Sequence, residues 1–333
     1  MRRQKKFLAW VVFATLFGVG FHAAPVDAAV TVSGGSGESQ TLSEAEYAVL
    51  DAGAYTGSSG GNTLDASDAK VSGTVYGGFT ENDSADGNTV SLKNTSAASV
   101  WGGKAGTYTD SINMDYVVTG GSANGNTVTI GQGSIGQKIV GGEAAAKSAN
   151  GNSVTIEGAV IGGAGQSAYE KAEVHPTSAK IASDLIAGGI STDGDTNQNV
   201  VKVTGSEIKS KYMAIFGGLS DASAKGNKVT LSLNTSSDTQ LYLIGGSAIN
   251  GTAEGNIVDV TDTGSGLFQT ITGGTSWPHP DNLTEMPDGD EAAYGAKNNK
   301  VHLKGVHVAP LTTSTFSSGV YGGYWYDSTR KTE

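Results

Sequence analysis

The chain has 333 residues, a formal charge of −11 and only 16% charged residues, a thin acidity that argues against a nucleic-acid partner and concerns solubility more than substrate. It contains no cysteine, so neither a disulfide framework nor a thiolate metal site can hold it together. Its 50 glycines lack a Gly-X-Y period, which excludes collagen.

The first predicted element is an export leader over residues 1–28. Basic Arg2, Arg3, Lys5 and Lys6 precede an apolar run from Phe7 to Phe21, and Val26-Asp27-Ala28 fits the small-x-small rule for cleavage before Ala29. The run falls short of the roughly 20 apolar residues that span a bilayer, so it reads as a leader and not as an anchor. Cleavage removes four of the 21 basic and one of the 32 acidic residues, leaving −14. Residues 29–60 follow as an N-terminal cap or degenerate repeat. Glu46-Tyr47-Ala48-Val49-Leu50 has the look of a worn copy of what comes later, and Ser43 with Glu46 offers a helix capping box as the alternative.

From residue 61 to 326 the chain repeats. Asn62, Asn88, Asn126, Asn152, Asn199, Asn227, Asn256 and Asn299 are each followed at plus two and plus four by apolar residues, such as Val90 and Leu92 or Val229 and Leu231. A Gly-Gly doublet follows each time, and the residue two before it is always aliphatic: Val75, Val100, Ile139, Val160, Ile186, Ile215, Leu243, Ile271 or Val320. The residue one before it varies (Tyr76, Trp101, Val140, Ile161, Ala187, Phe216, Ile244, Thr272, Tyr321), which predicts one fixed face and one free face. Successive Gly-Asn motifs lie 26, 38, 26, 47, 28, 29 and 43 residues apart, a unit of 26–29 residues lengthened by insertions. Within the 47-residue gap, Gly162-Gly163 and Thr177-Ser178-Ala179-Lys180-Ile181 read as a further, degenerate rung.

Period-two alternation makes each unit two short strands with aliphatics on one side, and no unit can bury that side alone. Coiling the chain so that each unit hydrogen-bonds to its neighbours solves the problem, giving an all-β fold: a parallel β-helix, or β-solenoid, of about nine or ten rungs and roughly 45–50 Å in length. Glycine suits the stacked turns because it accepts positive φ and leaves no Cβ between close backbones. Asparagine tolerates the left-handed region and can pair its amide with its counterpart one rung away. A propeller is excluded because its blades take about 40–45 residues.

Segments such as Gly87-Asn88-Thr89-Val90-Ser91-Leu92, Val100-Trp101-Gly102-Gly103 and Val75-Tyr76-Gly77-Gly78 resemble the passenger repeats of bacterial autotransporters, over nearly all of Tyr47 to Tyr326. The resemblance implies a right-handed β-helical passenger carried to the surface of a Gram-negative cell by a C-terminal β-barrel translocator. Residues 327–333 leave no room for that barrel, so the expectation is a truncated passenger, at the cell surface or outer membrane, or a protein released to periplasm or medium. Asn152-Ser153-Val154-Thr155-Ile156 is also similar to the short repeat of trimeric adhesin heads, but that period is about half as long and no heptad stalk follows.

Signatures of catalysis are missing: there is no Gly-x-Ser-x-Gly elbow, phosphate loop, His-Glu-x-x-His or EF-hand. Gly34-Gly35-Ser36-Gly37-Glu38-Ser39 begins like a calcium nonapeptide but has Ser39 where Asp belongs. His302 and His307 flank a turn where a shared metal would fit, although outward strand residues need no such role. Recognition in such folds belongs to insertions. The candidate site residues are therefore Tyr169 in the insertion 164–176, Trp277, His279, Asp288 and Asp290 in the insertion 275–294, and Trp325 in the C-terminal aromatic cluster. Asp288, Asp290 and Glu291 make an incomplete Ca²⁺ ligand set, so no metal and no cofactor is expected.

These features predict a non-catalytic exported scaffold for surface adhesion or self-association, with a host-cell, matrix or glycan surface or another copy of itself as partner and a membrane link only through a translocator. The alternative is a β-helical polysaccharide lyase or glycosidase. That needs a carboxylate pair about 5–10 Å apart. The outward column three residues after each Asn reads Asp65, Ser91, Thr129, Thr155, Lys202, Thr230, Asp259, His302, with its two acids far apart.

Overall fold

The computed structural model describes residues 31–32, 39–43, 46–47, 49–51, 54–55, 59–109, 117–163, 184–236, 239–276, 295–308 and 319–325. All of its regular structure is strand, and almost all pairing is parallel. Two long sheets dominate. One contains the Gly-Gly strands, from Thr31–Val32 to His307–Val308, with ten strands in succession. The other contains the strands that follow each Gly-Asn, from Ser39–Ser43 to Lys300–Lys304, with nine. The chain alternates between them, so each strand pairs with the same strand of the next repeat. A three-stranded sheet, Ala224–Lys225, Thr252–Glu254 and Gly295–Lys297, lines a corner between them at the C-terminal end.

Register follows the motif. Leu64, Val90, Val128, Val154, Val201, Val229, Val258 and Val301 stand opposite one another along the second sheet. Val75, Val100, Ile139, Ile186, Ile215, Leu243, Ile271 and Val320 do so along the first. From Leu64 to Val258 and from Val75 to Ile271 those aliphatics belong to one continuous buried cluster, with Val301 half-buried against it and Val320 exposed.

A polar spine runs beside that apolar core. From Asn62 to Asn299, each Nδ2 donates to the Oδ1 of the next repeat's asparagine at 2.9–3.0 Å. The backbone N–H of each donates to the same Oδ1 at 2.9–3.1 Å. Both lone pairs of every receiving oxygen are thereby used. The second amide hydrogen of Asn227 and Asn256 goes to the carbonyls of Thr196 and Ala224, and Asn299 Nδ2 donates to that of Ala253. A buried amide this completely bonded avoids the penalty of an unpaired polar group.

The two glycine roles expected together are carried by different positions. In the doublets neither residue has positive φ; what matters is the missing Cβ. On Gly77 it would strike the carbonyl oxygen of Gly102 one repeat on, and on Gly78 it would strike the Asn88 amide. The left-handed turn belongs to the residue just before each spine asparagine, as at Gly87 (φ 69°), and where glycine is replaced Gln198 (57°) and Asn298 (55°) take it up.

Three expectations need correction. There is no degenerate rung in the 47-residue gap: Ser153–Glu157 pairs directly with Val200–Thr204, and Lys138–Ala144 directly with Leu185–Ser191. Val160 and Ile161 belong to the asparagine sheet, between Ser134-Ile135 and Glu207-Ile208. Gly162 and Gly163, at φ 82° and 91°, turn the chain instead of lying in a strand. Thr177 to Ile181 lies outside the described residues. The helix alternative at Ser43 and Glu46 also fails, since Ser39–Ser43 and Glu46–Tyr47 are strands paired to Thr63–Ser67 and Lys70–Val71. Finally, the position before each doublet is not free. Val140 and Ala187 are fully buried and Phe216 is 2% exposed, members of a second apolar cluster on the outer side of the sheet.

Asn227→Leu removes the oxygen that takes two donors from Asn199 and orphans both. Each buried orphan costs about 1–3 kcal/mol, so a loss of roughly 2–4 kcal/mol of unfolding free energy is expected in urea titration. An unchanged midpoint would mean the spine carries no stability.

Candidate functional site

None of the sequence-predicted site residues can be assembled into a site. Tyr169, Trp277, His279, Asp288 and Asp290 lie outside the described residues, as do the insertions that carry them. The backbone of Trp325 is placed, in a strand register opposite Ser276. His302 and His307 are exposed, opposite Asp259 and Leu267 on different sheets. Among the described residues no group of three or more His, Cys, Asp or Glu is arranged to hold a metal ion.

The most developed side-chain constellation stands on the outer side of the doublet sheet. Because strands are stacked in register, Tyr76 and Trp101 fall on adjacent levels, and their rings stack with centroids 5.4 Å apart and planes 25° apart. Phe79 leans on Tyr76 at 5.4 Å. Lys104, three residues beyond Trp101, sets its ammonium 5.2 Å from the indole centroid. Glu143, one level further, closes the group: Oε2 accepts from Trp101 Nε1 at 2.7 Å and Oε1 pairs with Lys104 Nζ at 3.2 Å. Burial pulls the Lys104 ammonium down, but the Glu143 carboxylate, with Tyr76, more than offsets this and raises its pKa above the ordinary 10.5. The polar atoms of Trp101, Lys104 and Glu143 serve one another. The cluster pins neighbouring repeats together from outside, as the spine does from inside.

A second polar track was missed by sequence reading. At the corner before each spine asparagine, Asp86 Oδ1 accepts from the Asn124 N–H at 2.6 Å, Asn124 Oδ1 from Asn150 at 2.7 Å, and Asn150 Oδ1 from Asn197 at 2.6 Å. Asn197 Oδ1 then accepts from the Lys225 N–H at 2.9 Å. All four carboxylate or amide side chains are half-exposed. The signal was present: Asp86, Asn124, Asn150 and Asn197 each precede a spine asparagine by two residues in four successive copies.

The outward column named above is real in register: Asp65, Ser91, Thr129, Thr155, Lys202, Thr230, Asp259 and His302 are consecutive partners. Asp65 and Asp259 are six levels apart, about 29 Å at the ordinary strand spacing. No known protein-family model matches the chain, and neither a curated protein nor a solved structure is significantly similar to it.

Glu143→Gln tests the outer lock. A raised lysine pKa contributes stability that is complete below the unfolded value of 10.5 and fades as pH rises through the folded value. The variant should therefore be less stable than the parent by about 1 kcal/mol at about pH 8, with the gap closing by about pH 12. Thermal unfolding at both pH values reads this, and a gap independent of pH would refute the ion pair's part in it.

Proposed function

We propose that this chain is an exported parallel β-helix of the autotransporter-passenger kind, acting without catalysis as a scaffold for adhesion or self-association at the cell surface or after release. The observation that carries the reading is the unbroken register of two parallel sheets, with an asparagine spine joining every repeat from Asn62 to Asn299. A chain that alternates between two sheets, pairing each strand with its own counterpart one repeat on, winds as a coil, and that coil shows its partners only outward faces and corner insertions. The interior asparagines are occupied in holding levels together, so interaction falls to the outer columns and loops. The leader at residues 1–28 and the passenger-like motifs supply the export part of the proposal.

The rival reading, a polysaccharide-acting enzyme, is disfavoured by the spacing of Asp65 and Asp259, several times what a carboxylate pair requires. The two are separated by assaying the folded protein recovered after export against immobilised cells, matrix proteins and glycans, alongside release of reducing or unsaturated sugar ends from polysaccharides. Saturable binding without sugar release is expected. Turnover abolished by changing one acidic pair, or no binding to any surface or to itself, would overturn the scaffold proposal.

A further inference from the structure

The chain sorts its asparagines by what stands two residues later. The eight spine asparagines are followed there by Leu or Val, and Asn124, Asn150 and Asn197 of the corner track by a spine asparagine. Five others have a hydroxyl at that place and form Asn-x-Ser/Thr triplets without proline: Asn82-Asp83-Ser84, Asn94-Thr95-Ser96, Asn234-Thr235-Ser236, Asn250-Gly251-Thr252 and Asn282-Leu283-Thr284. That triplet is the acceptor pattern for an N-linked sugar on an exported chain. The last of the five lies outside the described residues.

The structure divides the other four into two pairs. Asn94 stands inside the strand Thr89–Ala97, in the left-handed region at φ 48°, and its Nδ2 donates to Asp68 Oδ1 at 2.7 Å. Asn250 is half-buried, and its Nδ2 donates to Asp221 Oδ1 at 3.2 Å. A nitrogen held in this way must give up a hydrogen bond before it can form a new covalent one. Asn82 and Asn234 are under no such hold. Both are exposed and lie at corners outside strands, Asn82 two residues past Thr74–Thr80 and Asn234 directly after Lys228–Leu233. Among the described residues neither amide has a hydrogen-bond partner. Their triplet serines are tied to the fold: the Ser122 N–H donates to Ser84 Oγ at 3.1 Å, and Ser236 Oγ shares a hydrogen bond of 3.0 Å with Thr239 Oγ1.

We propose that Asn82 and Asn234 are acceptors of an N-linked glycan and that Asn94 and Asn250 are not; the inference rests on the exported reading given under Proposed function. The donor is a sugar activated by a diphosphate at C1, transferred by a separate enzyme. Asparagine Nδ2 bonds to C1, the bond from C1 to the diphosphate oxygen breaks, and the amide loses one proton. A nucleotide-activated single sugar and a lipid-linked oligosaccharide share this chemistry. Either product places polar bulk at a corner, where the repeat already tolerates added chain, and leaves spine and aliphatic columns untouched.

The test isolates the full chain from the organism that makes it and maps its peptides by mass spectrometry, with fragmentation that keeps sugars attached. Sugar is expected on Asn82 and Asn234 and absent from Asn94 and Asn250; the mass gain of one sugar identifies a nucleotide donor, and that of several a lipid-linked one. Asn82→Gln and Asn234→Gln should each remove one glycan and leave the unfolding temperature of the protein where it was. Ser84→Ala should abolish the glycan on Asn82, and Ser84→Thr should keep it. Bare Asn82 and Asn234 in a chain that begins at Ala29, sugar on Asn94 or Asn250, or an unchanged glycan in Ser84→Ala would each overturn the acceptor proposal. A chain that still carries residues 1–28 would instead refute the exported reading beneath it.

Discussion

The close approach of each doublet to the asparagine behind it is the constraint on which the rest depends. Gly78 lies against the Asn88 amide, Gly103 against that of Asn126, and so on to Gly274 against Asn299. A side chain at any of these glycines would push the sheets apart, and with the sheets apart the amides could not reach from level to level. The asparagine in turn has to be interior, because its oxygen collects two hydrogens from the preceding level. Neither residue is useful without the other, which explains why the two motifs occur together along the chain. Interior amides are costly unless fully bonded, so register is fixed as firmly by the penalty for slipping as by the gain from aliphatic packing.

That constraint acts at fixed points of each repeat and leaves the rest of the contour free. Spacings of 38, 47 and 43 residues between successive asparagines leave the spine distances the same as spacings of 26. Extra chain leaves at corners and returns in register. The antiparallel pair Tyr108–Thr109 with Val117–Val118 is one such excursion. Insertions are therefore nearly independent of the stacking that holds the protein together, which is the condition for varying a recognition surface without disturbing its support.

The sequence spoke clearly where one residue type has one reason to be there. Period-two aliphatics, the spine asparagines and, except for Val160, the aliphatic two before each doublet stand where spacing put them. It misled where one dipeptide serves two purposes. Gly162-Gly163 has the letters of a doublet, but positive φ at both residues makes it a turn, and nothing local in the sequence distinguishes the two. The outer column failed for another reason. Tyr76, Trp101, Val140, Ala187 and Phe216 look unconstrained when compared by size or aromaticity, and only their stacking reveals that all are apolar for a common cause. Lys104 and Glu143 meet through register across 39 residues, a pairing that no window along the chain can reveal. The chosen loop residues, Tyr169, Trp277, His279, Asp288 and Asp290, fall where spine and register impose nothing, so the logic that located the strands had no purchase on them.

The interior asparagines are spent on stacking, and among the described residues the buried hydroxyls of Thr80, Thr196 and Thr275 have no hydrogen-bond partner. From Asn88 to Asn256 each spine oxygen already takes two donors, and Trp101, Lys104 and Glu143 are each other's partners. Toward solvent lie the half-exposed corner track from Asp86 to Asn197 and the outward threonines and lysines of the asparagine sheet. On the scaffold proposal, polar capacity so distributed would serve contact along extended, repeating surfaces, where many weak and similar interactions add up.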